Sequence, residues 1–185
     1  LSSLVLAGSN PQGRFYAVDF NPAHIAAAQH EAAWLGLDNV QFIERSFADL
    51  LDAELPDFDF ITLHGIYSWI GVEARQAIQR FIYENLKPGG IVYNSYNCLP
   101  GWAPDSPIRR LLYEFGASHQ GDSAKRAELA SRDAKELAEL KQGFFRANPA
   151  ASVMIENLSK RPPSYLAHEY LNADWNPFYS IDVAE

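Results

Sequence analysis

Cysteine, long apolar runs and clusters of positive charge are all scarce in this 185-residue sequence, and each scarcity removes a class of protein. The single cysteine, Cys98, excludes an internal disulfide framework and indicates a reducing compartment, which predicts a cytoplasmic location. No apolar run approaches the roughly 18 residues of a membrane-spanning helix, so no membrane association is predicted. The net charge is −8 without any lysine or arginine cluster, and this predicts no nucleic-acid partner.

The stretch from Arg14 to Pro22 is typical of a buried strand that is followed at once by a helix. Residues 15–18 are aromatic, small or β-branched without charge, and Asn21 and Pro22 suit the N-cap and the first helical position. Asp19 lies at the carboxyl end of this strand, where an acid can accept hydrogen bonds from both hydroxyls of a ribose. The same residue could simply cap the helix, and Asp19 alone leaves both interpretations open.

The glycine-rich turn that precedes such an acid in dinucleotide-binding folds is absent. It should lie about 20 residues before the acid, which falls at the start of the chain. No Gly-x-Gly motif occurs in the sequence, and residues 1–7 are typical of the helix that follows that turn. The sequence is therefore interpreted as part of a longer protein.

Helices and strands alternate over residues 1–100, which predicts an α/β domain with a parallel sheet. Helices are predicted at 22–35 and 72–86, and strands at 15–18, 40–44, 58–64 and 91–96, with a Lys-Pro-Gly-Gly turn at 87–90. The carboxyl ends of parallel strands share one edge of a sheet, so the residues that follow the strands are expected to line one crevice. After Gly101 the pattern becomes all-helical, with helices predicted at 105–115, 123–146, 149–159 and 164–171.

Several segments carry a resemblance to a known family. The Asp19 acid, the segment Asp57-Phe58-Asp59-Phe60-Ile61 and the turn Lys87-Pro88-Gly89-Gly90 occur in the order that resembles Rossmann-like methyltransferases that use S-adenosylmethionine. Three further segments make the resemblance closer: His64-Gly65-Ile66-Tyr67-Ser68-Trp69-Ile70, Ser95-Tyr96-Asn97-Cys98-Leu99-Pro100-Gly101-Trp102 and His168-Glu169-Tyr170-Leu171-Asn172. Together they are similar to bacterial class I methyltransferases that carry a methyltransferase regulatory domain, and some of those act on protein lysines.

The resemblance implies a fold class and a domain organisation. The fold would be an α/β Rossmann-like methyltransferase sheet, partial because its first and last strands are missing, with an all-helical insertion. The domains would be a partial cofactor-binding domain at 1–102, a helical insertion or lid at 103–176, and a return to the first domain at 177–185. Without its first strand, this part alone should bind the cofactor poorly.

The resemblance also implies S-adenosylmethionine as the cofactor and assigns residues to its parts. Asp19 would hold the ribose with Phe20 and Asn21 beside it, and Ser46 and Phe47 would hold the adenine, with Asp49 as the acid that often stands there. His64 and Gly65 would lie beside the methionine part. Tyr67 and Tyr96 are the predicted catalytic residues on the acceptor side, with Trp69 and Trp102 as further aromatic walls, although Trp102 could equally be a core residue. The acceptor is possibly a protein, and the oligomeric state is not predicted.

Other functions remain open at this stage. An NAD(P)-dependent oxidoreductase would share the ribose acid, and a non-catalytic regulatory domain could keep the fold without turnover. No metal site is predicted, because His24 and His30 lie six residues apart and cannot share a helix face, and because no second histidine follows His168-Glu169 at zinc-motif spacing.

Overall fold

Short strands alternate with helices through the first half of the chain in the computed structural model, which describes residues 2–184. The order is α1 (Ser2–Ser9), β1 (Phe15–Asp19), α2 (Pro22–Trp34), β2 (Val40–Glu44), α3 (Phe47–Leu50), β3 (Phe58–His64), a 3-10 turn at Tyr67–Trp69, α4 (Val72–Asn85) and β4 (Leu86–Ser95). The second half is helical, with α5 (Ser106–Ser118), α6 (Ser123–Glu139), α7 (Gly143–Ala147), α8 (Pro149–Leu158), α9 (Pro163–Tyr170) and α10 (Ser180–Ala184).

The strands form two small sheets. β1 and β2 pair in parallel with Phe15 opposite Val40 and Asp19 opposite Glu44, and β3 pairs with β4. A sheet continues only where another strand pairs with its edge, and among residues 2–184 no third strand pairs with β1 or β3. The four predicted strands are all present. Because β1–β2 and β3–β4 are not paired with each other, they form two sheets and not the single sheet that was expected.

The described chain separates into two compact units, of which the first contains residues 2–62 and 71–93. Its buried apolar side chains include Leu4 and Ala7 of α1, Ile25 and Ala32 of α2, and Ile78 of α4. Aromatic packing extends from β1 to β3, where the ring of Tyr16 meets that of Phe58 edge-on at 5.4 Å between centroids.

The second unit contains residues 63–70 and 94–184 and is mostly helical. Its core is built on the alanines of α6, which pack with the apolar faces of α5, α8 and α9: Ala127, Ala130, Ala134, Ile108, Leu112, Ile155, Leu158 and Leu166. Small side chains let helices approach closely, and Gly116 of α5 has the same effect, since a Cβ there would meet Leu171 Cδ2 at 2.6 Å. The predicted domain boundaries at 102/103 and 176/177 stay a prediction.

Two predicted elements differ substantially in extent from those of the structure. The helix predicted at 123–146 is divided, because Lys141 and Gly143 both have φ of 51° and end the helical path between α6 and α7. The strand predicted to begin at Ile91 begins at Leu86, so the segment predicted as a turn belongs to β4. Lys87 is held there by Asp59 of β3, with Nζ 2.9 Å from Oδ2.

No helix among residues 2–184 combines the length and the apolar character that crossing a membrane requires.

Candidate functional site

The carboxyl end of β1 presents an acid whose position is set by its neighbours. Asp19 Oδ1 accepts the backbone N–H of Asn21 at 2.9 Å, and Oδ2 lies 3.0 Å from Nδ1 of His24. The parallel register puts Asp19 beside Glu44, and the N–H of Arg45 donates to the Asp19 carbonyl at 3.2 Å. The Asp19 side chain remains 37% exposed, and each carboxylate oxygen keeps acceptor capacity for a ligand hydroxyl.

Asn21 turns the chain from β1 into α2. Its extended backbone and its side-chain oxygen, which accepts the N–H of Ala23 at 2.9 Å, make it the predicted N-cap, with Pro22 in the first turn. Phe20 is 74% exposed, so its ring is free to border a ligand. The N-cap interpretation of this segment is confirmed, and the cap is Asn21 and not Asp19.

The end of β2 leads directly into the short helix α3. Ser46 is the N-cap of α3, and its hydroxyl donates to Asp49 Oδ2 at 2.6 Å while accepting the Asp49 N–H at 3.2 Å. Because the Ser46 hydroxyl donates its proton to Asp49, the acceptor that this turn offers to a ligand is the Asp49 carboxylate. Phe47 is half-buried at the start of α3. Its predicted role beside an adenine stays a prediction, as does that of Ser46.

In the second unit, the loops after β3 and β4 are joined by hydrogen bonds. The N–H of Gly65 donates to Ser95 Oγ at 2.7 Å, and the N–H of Asn97 donates to Ser68 Oγ at 2.8 Å. Gly65 has φ of 65°, a conformation that favours glycine, although no atom would lie within 4 Å of an added Cβ. His64 precedes it with an exposed side chain.

Tyr67 and Tyr96 are brought together around Phe178. The ring of Phe178 lies 5.5 Å from that of Tyr67 and 6.3 Å from that of Tyr96, between centroids. The backbone of Phe178 is fixed by bonds to Asn97 and Leu99, with its N–H donating to the Asn97 carbonyl at 3.0 Å and its carbonyl accepting from Leu99 at 2.8 Å. Tyr67 is buried and Tyr96 is half-buried, so the two predicted acceptor-side tyrosines share one aromatic cluster.

The two tryptophans contact other parts of this unit. The ring of Trp69 lies 5.7 Å from that of His168, and the ring of Trp102 lies 5.8 Å from that of Trp175. The guanidinium of Arg109 lies 4.8 Å from the centre of Trp175, and burial lowers the pKa of this arginine. Trp102 is half-buried against Trp175, and its predicted place on the acceptor side stays a prediction.

The family is shown by comparison of the sequence with known families. A family model described as "Methyltransferase domain" matches residues 2–149. The chain belongs to this methyltransferase domain family. A second model, described as a predicted methyltransferase regulatory domain, matches residues 162–185. Both matches confirm the resemblance that the ordered segments predict.

Members of known sequence and structure are similar over nearly the whole chain. An uncharacterised protein of Synechocystis, sll1526, is 44% identical over 184 residues, and an uncharacterised protein of Rickettsia prowazekii, RP789, is 30% identical over 174 residues. The chain spans 36% and 30% of the lengths of these two relatives.

A solved structure confirms the fold. The structure of PKMT2 from Rickettsia typhi, also solved in complex with AdoHcy, superposes with a TM-score of 0.74 at 25% identity, and 96% of this chain is covered. The chain covers 33% of the PKMT2 chain, or 34% in the complex. The predicted Rossmann-like methyltransferase fold class is therefore confirmed.

Sequence reasoning missed the residues that position the predicted ones. His24, considered only as a metal ligand, contacts the carboxylate of Asp19, and Ser68 and Ser95 fix the two loops of the acceptor side. Phe178 joins the two tyrosines although it follows them by more than 80 residues. The five-residue spacing from Asp19 to His24 across an N-cap was the one signal in the sequence that could have revealed such a pair.

Proposed function

We propose that this chain belongs to an S-adenosylmethionine-dependent methyltransferase and carries its adenosine-binding and acceptor-side residues. The observation that carries the proposal is the Asp19 carboxylate, which is fixed at the end of a parallel strand with acceptor capacity on both oxygens. A ribose diol requires this arrangement, because its two hydroxyls donate to the two oxygens of one acid. Family membership and the AdoHcy complex of PKMT2 support the same cofactor.

The residues present fit an adenosyl group at the first unit. Asp19 is the ribose acceptor, and the exposed ring of Phe20 and the half-buried ring of Phe47 offer apolar surfaces for the base. Asp49, held by Ser46, can accept a hydrogen bond from an exocyclic amine. When bound, S-adenosylmethionine supplies an electrophilic methyl group, so the protein has to align the acceptor and exclude water.

The second unit supplies the acceptor side of the proposal. The cluster of Tyr67, Tyr96 and Phe178 offers aromatic faces that orient an amine and favour a nearby cation. His64 and Gly65 are assigned to the methionine part. The acceptor class proposed is a lysine of a protein, on the resemblance to protein-lysine methyltransferases. A cytoplasmic location, and the absence of nucleic-acid and membrane partners, belong to the same proposal and are supported by the net charge of −8 and the single cysteine.

Calorimetry of the full-length protein tests the cofactor. Titration with S-adenosylhomocysteine should give saturable heat, whereas NAD, which shares the ribose but not the thioether, should give none. Asp19→Ala should weaken binding by roughly a hundredfold or more, because two hydrogen bonds to a charged group are lost. A folded sample that gives no heat with S-adenosylhomocysteine would contradict the proposal.

Catalysis requires a separate measurement. Methyl transfer from labelled S-adenosylmethionine to a peptide pool should occur, and lysine-free peptides should not be labelled. Tyr67→Phe should lower the rate while leaving cofactor affinity unchanged, and Tyr83→Phe, on a side chain that is 90% exposed, is the matched control. Cofactor binding without any labelling of the pool would favour the non-catalytic regulatory domain.

A further inference from the structure

Asp19, Asn21 and His24 form a closed ring of hydrogen bonds at the start of α2. Asn21 donates its backbone N–H to Asp19 Oδ1 at 2.9 Å, and His24 Nδ1 lies 3.0 Å from Asp19 Oδ2. The ring is completed by Asn21 Nδ2, which lies 3.3 Å from His24 Nε2. The His24 side chain is 67% exposed, so these contacts are not imposed by core packing.

The N-cap determines which tautomer of His24 satisfies this ring. The N–H of Ala23 donates to Asn21 Oδ1, so the amide nitrogen of Asn21 is the atom that faces the imidazole. An amide nitrogen only donates, and therefore His24 Nε2 accepts. The neutral imidazole of His24 then carries its proton on Nδ1 and donates it in a hydrogen bond to the Asp19 carboxylate.

We propose that His24 is a positioning residue that holds the Asp19 carboxylate in the orientation that receives the ribose hydroxyls of the cofactor. The inference rests on the proposed function, because it assigns a residue to the same ribose site. A part-exposed carboxylate rotates freely about its last torsion, which is broad and has two-fold symmetry. Donors on both oxygens fix its plane, so less conformational freedom is lost when the diol binds.

Binding measurements on the full-length protein test the role. His24→Ala should raise the Kd for S-adenosylhomocysteine about three- to tenfold, the net effect of one typical hydrogen bond, because His24 acts on the cofactor only through Asp19. His24→Gln, whose amide can still donate, should recover part of the affinity. His30→Ala is the matched control, since His30 is an exposed histidine of the same helix.

A double-mutant cycle separates a positioning role from a direct one. In an Asp19→Ala background, His24→Ala should change the Kd no further, because His24 acts through that carboxylate. The analogue of S-adenosylhomocysteine without the 2′-hydroxyl should lose affinity for the wild type and lose less for His24→Ala. An undiminished effect of His24→Ala in the Asp19→Ala background would overturn the inference.

Nitrogen NMR of the imidazole gives a readout that does not depend on cofactor. Long-range proton–nitrogen spectra should show the neutral imidazole of His24 with its proton on Nδ1. A proton on Nε2 would refute the proposed hydrogen bonds among Asp19, Asn21 and His24. Normal S-adenosylhomocysteine binding by His24→Ala would refute this inference alone. No binding by the folded wild type would refute the proposed function and this inference with it.

Discussion

Replacing Ser68 by alanine should loosen the two loops that carry the predicted acceptor-side tyrosines. Ser68 is 1% exposed, and its Oγ accepts the N–H of Asn97 at 2.8 Å. The variant leaves that N–H without its acceptor in a buried region, which costs about 1–3 kcal/mol. Tyr67 precedes Ser68 and Tyr96 precedes Asn97, so the lost hydrogen bond is one that links the loops of these two tyrosines.

Amide hydrogen exchange measures the loosening of these loops at individual residues. The Asn97 amide should exchange about five- to 150-fold faster in Ser68→Ala, the factor that corresponds to an opening free energy lowered by about 1–3 kcal/mol. Ser164→Ala, on an exposed serine of α9, is the control and should leave the Asn97 rate unchanged. Unchanged exchange in Ser68→Ala would show that the bond does not hold the loops, and the structural account of the cluster would be wrong.

Three further outcomes are expected in urea denaturation. Gly65→Ala should lower the free energy of unfolding by about 1–2 kcal/mol, because residue 65 has a φ of 65°. Gly65→Asn should lower it less, and equal decreases would argue against backbone strain. Arg109→Ala should cost about 2 kcal/mol, since it loses its contact with Trp175; wild-type stability would contradict this. Burial raises the pKa of Asp133, but hydrogen bonds led by that from His119 outweigh it and hold the pKa below its ordinary value. The ionised Asp133 should therefore stabilise the fold above about pH 4, and this stabilisation should disappear as the pH falls. The difference in free energy of unfolding between the wild type and Asp133→Asn should decrease over the same pH range, and a constant difference would refute this.

Local rules account for much of what could be predicted. Strand β1, the Asn21 cap and Pro22 were readable because charge, β-propensity and capping chemistry act over a few neighbouring residues. The same holds for β2 and β3, whose predicted bounds of 40–44 and 58–64 agree with the structure. At residues 87–90 the sequence favoured a turn, whereas pairing with β3 and the contact of Lys87 with Asp59 favoured a strand.

Contacts between distant segments were decided only in the folded molecule. Nothing in the sequence links Phe178 to Tyr67 and Tyr96, because a ring contact depends on where the chain returns and not on spacing. The break between α6 and α7 is different, because Gly143 marks it in the sequence, although the left-handed backbone of Lys141 appears only in the structure.

By itself, the sequence determined the acid after β1, the order of the elements and the family, since these depend on residue type and spacing. The tertiary structure alone decided which serines fix the loops and which ring joins the tyrosines. Directional hydrogen bonds and ring contacts require atoms within a few ångströms, and only folding brings residues from separate segments that close.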